Sequence, residues 1–206
     1  MQQNYNPNGY MEHAVTFNTH TIQTLFTSDP SHVDSWLSET TRHRNNKLPF
    51  IVGLDIEWRP NTQAFKNNPV ALLQLCVDHR CLVFQIIHAP SIPDSLSSFL
   101  SNPQHTFVGV GIQGDVDKLL KDRSFTVANA VDLRTLAAEV YGDPEMMKAG
   151  LKALTQRVLG MNVEKPKKIS TSKWDDRYLS VEQVQYAAID AFVSFEIGRC
   201  IYSIRS

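Results

Sequence analysis

Long apolar runs are missing from this sequence. No stretch approaches the roughly 20 residues a helix needs to cross a bilayer, so no membrane span is expected. Cysteine is scarce: Cys76, Cys81 and Cys200 are the only three, and none has Cys-x-x-Cys or zinc-ligand spacing. They are expected as buried free thiols in a reducing compartment. A strong positive charge is lacking too. The net charge of −1 provides no global field to recruit nucleic acid, so such a partner needs a local basic patch or a metal ion. The polar, Asn-rich stretch 1–12 has no apolar core of a signal peptide, and it is expected to be disordered. The protein is accordingly expected inside the cell, in nucleus or cytoplasm, rather than secreted. Repeats and linkers are also absent, and 206 residues suit one domain.

What is present reads as an α/β chain. Asp29-Pro30 predicts a helix start, with Val33, Trp36 and Leu37 as its apolar stripe. Residues 13–47 are expected to form a strand/helix extension packed on a main domain, 48–206, with 42–47 a basic loop. Strands are predicted at 50–58, 70–77, 81–86, 106–110 and 127–131, with a polar loop at 61–68. Helices are predicted at 91–100, 115–123, 132–141 and 146–159. The last one opens at Ser180, with Gln183 as capping-box partner, and runs to about Ile204. This order predicts a mixed central sheet flanked by helices.

Chemistry enters at Ile51-Val-Gly-Leu-Asp55-Ile-Glu57-Trp58. Residues two apart on a strand share a face, so Asp55 and Glu57 project together. Two like charges side by side are costly unless a cation lies between them. Asp115 follows a Gly-rich turn and falls in the first turn of a helix, where its charge suits the helix dipole. Asp190 sits in a helix that is apolar on nearly all sides and therefore buried. It needs an Arg, a Lys or a metal ion. Each acid alone has a structural explanation. Together they share one: a carboxylate site for two divalent ions about 4 Å apart, suited to Mg²⁺ or Mn²⁺ and able to clamp a phosphodiester.

Gly109-x-Gly111-x-x-Gly114 also spells a dinucleotide fingerprint, and Asp132 stands near the place of its ribose-binding acid. Asp115 would repel a pyrophosphate at that helix N-terminus, and Asp55, Glu57 and Asp190 would go unexplained. The metal site is the stronger reading.

Three motifs in order resemble the DEDDy branch of the DnaQ-like 3′-to-5′ exonucleases, nearest to the exonuclease domain of the Werner syndrome helicase and its plant relatives. They are Asp55-Ile-Glu57, Val108-Gly-Val-Gly-Ile-Gln-Gly-Asp115 and Tyr186-Ala-Ala-Ile-Asp190. The likeness covers roughly 48–204 and departs at Lys173, where those relatives carry Asn. It implies an RNase H-like fold and release of 5′-mononucleotides from DNA or RNA 3′ ends. It also implies that Asp55, Glu57 and Asp190 hold one ion, that Asp55 and Asp115 assist a second, and that Tyr186 orients the attacking water. Lys165, Lys167, Lys168, Lys173 and Arg177 are candidates for backbone phosphates, and Trp58 for stacking on the terminal base. A nucleic-acid-binding or scaffolding module of the same fold, with little catalysis, is the alternative. A lone domain of this size would gain grip by forming a homo-oligomer.

Overall fold

The computed structural model describes residues 10–42, 50–61 and 67–205. Residues 1–9, and most of the loops expected at 42–47 and 61–68, lie outside them. Seven strands form one sheet: β1 (Tyr10–Phe17), β2 (His20–Thr27), β3 (Phe50–Glu57), β4 (Leu72–Val77), β5 (Arg80–Phe84), β6 (His105–Gly109) and β7 (Ala130–Asp132). Their order across the sheet is β1-β2-β5-β4-β3-β6-β7. Two-residue hairpins join β1 to β2 and β4 to β5. Asn18 and Asp78 take positive φ there, which their short polar side chains tolerate. β2 pairs in parallel with β5, so the N-terminal strands continue the main sheet. β1 starts at Tyr10, so Tyr10–Glu12 are strand and not part of a disordered terminus.

The main helices are α1 (Pro30–Arg42), α2 (Asp94–Leu100), α3 (Ile112–Arg123) and α4 (Leu133–Tyr141). Asp29 caps α1 by accepting from the Ser31 N–H at 2.8 Å. The single helix expected at 146–159 is instead a 3₁₀ turn (Pro144–Lys148), a short α5 (Leu151–Leu154) and a π-helical turn (Thr155–Leu159). Ala149 and Gly150 between the first two are extended and break the helical path. A short α6 (Lys167–Ser170) follows. The long α7 (Val181–Arg205) opens on the expected capping box: the Ser180 N–H donates to Gln183 Oε1 at 2.9 Å, and the Gln183 N–H to Ser180 Oγ at 3.2 Å. Among the described residues no helix is long and apolar enough to cross a membrane.

The cysteine expectation needs correction. The β4–β5 register sets Cys76 directly opposite Cys81, with Cα atoms 4.3 Å apart, and the two form a disulfide. Cys200 alone is free. A tight hairpin turned two thiols five residues apart into facing neighbours, which spacing alone did not reveal.

β3 is an interior strand, antiparallel to β4 and parallel to β6, and α7 packs across it. The contact is backbone on backbone at Gly53. A Cβ there would overlap the Ala191 carbonyl oxygen and stand 2.7 Å from the Phe195 amide nitrogen. Both are α7 main-chain atoms and cannot rotate away. Gly53→Ala is therefore expected to push α7 off the sheet and cost about 1–3 kcal/mol, read by urea unfolding. The same displacement separates residues on β3 from those on α7, so any activity resting on both should fall by more than stability does.

Candidate metal centre

Asp55 and Glu57 leave the end of β3 on the same face as Gly53, toward α7. Tyr186 and Asp190 stand one turn apart on α7, a helix buried along most of its length because its sequence offers almost no polar face. Asp190 is 2% exposed. One carboxylate oxygen each from Asp55, Glu57 and Asp190 lie within 4.8 Å of one another. Asp115, in the first turn of α3, stands outside this triad but close enough for its charge to disfavour ionisation of Asp55. Three of the four predicted acids therefore meet, and the fourth borders them.

This crowding shows in the proton affinities. Burial, then the charges of Asp190 and Asp115, hold Asp55 well above the carboxylate range. Burial, with Asp55 and Asp190, pushes Glu57 up to about 10. Burial and Asp132 lift Asp115 to about 7. Asp190 is also raised by burial, against the opposing pull of Lys165 and the Tyr186 hydroxyl. Burial and then these acids raise Tyr186 as well, so its hydroxyl keeps its proton at neutral pH and acts as a donor, not a base.

Lys165 supplies the cation closest at hand. Its Nζ lies 2.6 Å from Asp190 Oδ2 and 5.3 Å from the centroid of the Tyr186 ring. Burial opposes its charge, yet Asp190, Asp55 and Glu57 raise its proton affinity. Among the lysines singled out for phosphate contacts, this one is turned into the acid cluster. The sequence carried no signal for that, because Lys165 reaches Asp190 through an irregular loop with no periodicity. Asp190 Oδ1 remains buried without a hydrogen-bond partner. Clustered hard oxygen donors and an orphaned carboxylate oxygen fit a divalent cation.

The glycine motif is absorbed locally. Gly111 takes φ 73°, and its N–H donates to Asp132 Oδ2 at 3.1 Å. Asp132 also caps α4 and pairs with Arg134 at 2.6 Å. It is committed to this turn, and its bonds from Arg134 hold it below the usual range despite partial burial. The turn delivers Asp115; the dinucleotide reading has no free ribose acid left.

Trp58 is half-buried with Lys118 Nζ 5.1 Å from its ring centroid. Lys167, Lys168 and Lys173 are exposed, and none joins the acid cluster. Two positioning devices had no sequence signal of their own. Arg59, just after β3, forms ion pairs with Asp175 and Asp176, pinning the loop before α7. Fully buried Trp174 from that loop packs against Tyr186 with ring centroids 5.9 Å apart.

A mixed sheet with a carboxylate cluster between an interior strand and a buried C-terminal helix defines an RNase H-like domain of the DnaQ-like class. The family model for 3′-5′ exonuclease matches residues 27–201, and the chain belongs to that family. It is 38% identical over 153 residues to a 3′-5′ exonuclease of Arabidopsis thaliana, covering 73% of this chain and 52% of the relative. It is 36% identical over 148 residues to the bifunctional 3′-5′ exonuclease/ATP-dependent helicase WRN of Mus musculus, covering 71% and 10%. The chain thus spans about half of one relative and a tenth of the other. Escherichia coli RNase D shares the fold, with a TM-score of 0.72 at 19% identity over 87% of this chain and 44% of that one.

Proposed function

We propose that this chain hydrolyses the terminal phosphodiester at nucleic-acid 3′ ends and releases 5′-mononucleotides, using two divalent ions, Mg²⁺ or Mn²⁺. The observation that carries this reading is the meeting of Asp55, Glu57 and Asp190 oxygens within 4.8 Å, bordered by Asp115. Asp55, Glu57 and Asp190 would hold one ion, and Asp55 with Asp115 the other. When bound, such ions activate water and stabilise the attacking and leaving oxygens of an in-line displacement.

The chain's own groups do the rest. The protonated Tyr186 hydroxyl orients the attacking water, with Trp174 packed against its ring. Lys165 neutralises Asp190 in the metal-free protein, and with a divalent ion bound at Asp190 its ammonium would be free to contact substrate phosphate. Trp58 at the end of the acid strand is the stacking surface for the terminal base, and exposed Lys167, Lys168 and Lys173 supply salt-sensitive contacts to the backbone.

A labelled panel of single-stranded DNA, recessed duplex and RNA ends, with metal added last, tests the reading. Mononucleotide release on metal addition is expected; inertness on every end with both metals overturns it. The role of Lys165 is tested by stability. Lys165→Met should cost the metal-free protein about 1–2 kcal/mol, since Asp190 loses its counter-ion, or roughly 2–8 °C in melting temperature. Saturating Mg²⁺ should close that gap. An equal deficit with and without Mg²⁺ would make the lysine merely structural.

A further inference from the structure

β4 carries one polar side chain, Gln74, in an otherwise apolar run from Leu72 to Val77. Gln74 is fully buried, and neither its Nε2 nor its Oε1 has a hydrogen-bond partner. An amide buried with both ends unpaired is costly, and an apolar side chain of similar size would fill the place without that cost.

Its location suggests a use. Gln74 is the direct cross-strand partner of Asp55. Residues opposite each other in an antiparallel pair share a face, with Cβ atoms about 4.5–5.5 Å apart. That face is the one turned to α7. Gly53, two residues before Asp55, abuts Ala191 and Phe195 there. Cys81, opposite Cys76, has its Sγ 3.5 Å from the Ala188 carbonyl oxygen. The Gln74 amide therefore lies in the same layer as Asp55 and Asp190. That layer also contains Asp190 Oδ1, another buried oxygen without a partner. The unpaired donor and the acid cluster that a cation would organise are thus neighbours on two adjacent strands.

We propose that Gln74 is a positioning residue of the metal centre: unpaired in the metal-free protein, its side-chain NH₂ would donate to the Asp55 carboxylate when a divalent ion is bound and fix the edge that Asp55 presents toward Glu57 and Asp190. The proposal rests on the metal reading given under the proposed function. Carboxylates that ligate metals are themselves oriented by hydrogen bonds, and loss of such a partner typically weakens metal binding about 10- to 100-fold. Gln74 would leave the identity of the ligands unchanged and set their aim.

The test compares the full chain with Gln74→Met, which removes both polar ends at nearly constant volume. Titration calorimetry with Mn²⁺ should show affinity reduced about 10- to 100-fold. The metal-free melting temperature should be equal to or above the parent's, because an unpaired amide has been removed. At saturating Mn²⁺, KM for a single-stranded oligonucleotide should be unchanged. A merely structural residue would move stability and leave metal affinity alone, so affinity within about twofold of the parent overturns the proposal. A second measurement needs no variant: the side-chain amide resonances of Gln74 in the unsubstituted protein should shift on Mg²⁺ addition, and unmoved resonances overturn the proposal equally. If the parent chain takes up no Mn²⁺, the metal reading itself falls and the proposal falls with it. If the parent binds and Gln74→Met binds as well, the proposal alone is lost.

Discussion

Asp55→Asn is expected to abolish Mn²⁺ uptake and reduce nucleotide release by on the order of 10³-fold or more, while leaving the metal-free protein at least as stable as the parent. The catalytic loss follows from the central place of Asp55, which is shared between both proposed ion positions. Metal participation is worth several kcal/mol of transition-state stabilisation, and each 1.36 kcal/mol is tenfold in rate. The unchanged or improved stability follows from electrostatics. Asp55 is half-buried, and desolvation, then Asp190 and Asp115, disfavour its ionisation. An amide of the same shape removes one member of that repulsive set. Single-turnover release from an end-labelled oligonucleotide, calorimetry with Mn²⁺ and metal-free thermal melts provide the three readouts. Activity within tenfold of the parent would remove Asp55 from the chemistry, whatever its effect on stability.

Metal binding should also be strongly linked to protons. Glu57 is held at about 10 and Asp115 at about 7, with Asp55 and Asp190 raised as well. A carboxyl group whose proton affinity is raised by folding favours the folded state in its protonated form. Its contribution is complete below the unfolded value near ~4 and is lost as pH rises through the folded value. The metal-free protein should therefore lose stability as pH rises above about 4, through Asp115 until about 7 and through Glu57 until about 10. A divalent ion must displace those protons, so its affinity should rise roughly tenfold per pH unit for each proton released. Calorimetry in buffers of different ionisation heat counts the protons. Melts from about pH 6 to pH 9, with and without Mg²⁺, should diverge as pH increases. Parallel curves would show that the acids are already ionised without metal.

The sequence made the acids legible because secondary-structure periodicity acts on neighbouring residues. Asp55 and Glu57 share a face through the two-residue repeat of a strand. Asp190 was conspicuous because an acid inside an apolar helix has nowhere else to go, and Ser180 with Gln183 marked where that helix begins. What escaped is what long-range contact decides. Lys165 meets Asp190 through a loop without a repeating pattern. Gln74 acquires meaning only when β4 is laid beside β3 in a fixed register. The Cys76–Cys81 pair depends on the same hairpin register, and Gly53 looked like any strand glycine until α7 was set against it. The helix expected at 146–159 failed for a local reason: apolar spacing continued through Ala149 and Gly150 although their backbone turned extended.

That glycine also fixes the dimensions of the site. With no side chain between β3 and α7 at Gly53, the spacing from Asp55 to Asp190 is set by main chain against main chain, like a gauge block between two jaws. Side chains elsewhere in the core can exchange volume and repack without opening those jaws. The aperture offered to an ion is thereby insulated from most drift in the surrounding core, and its tolerance is written into a single missing methyl group.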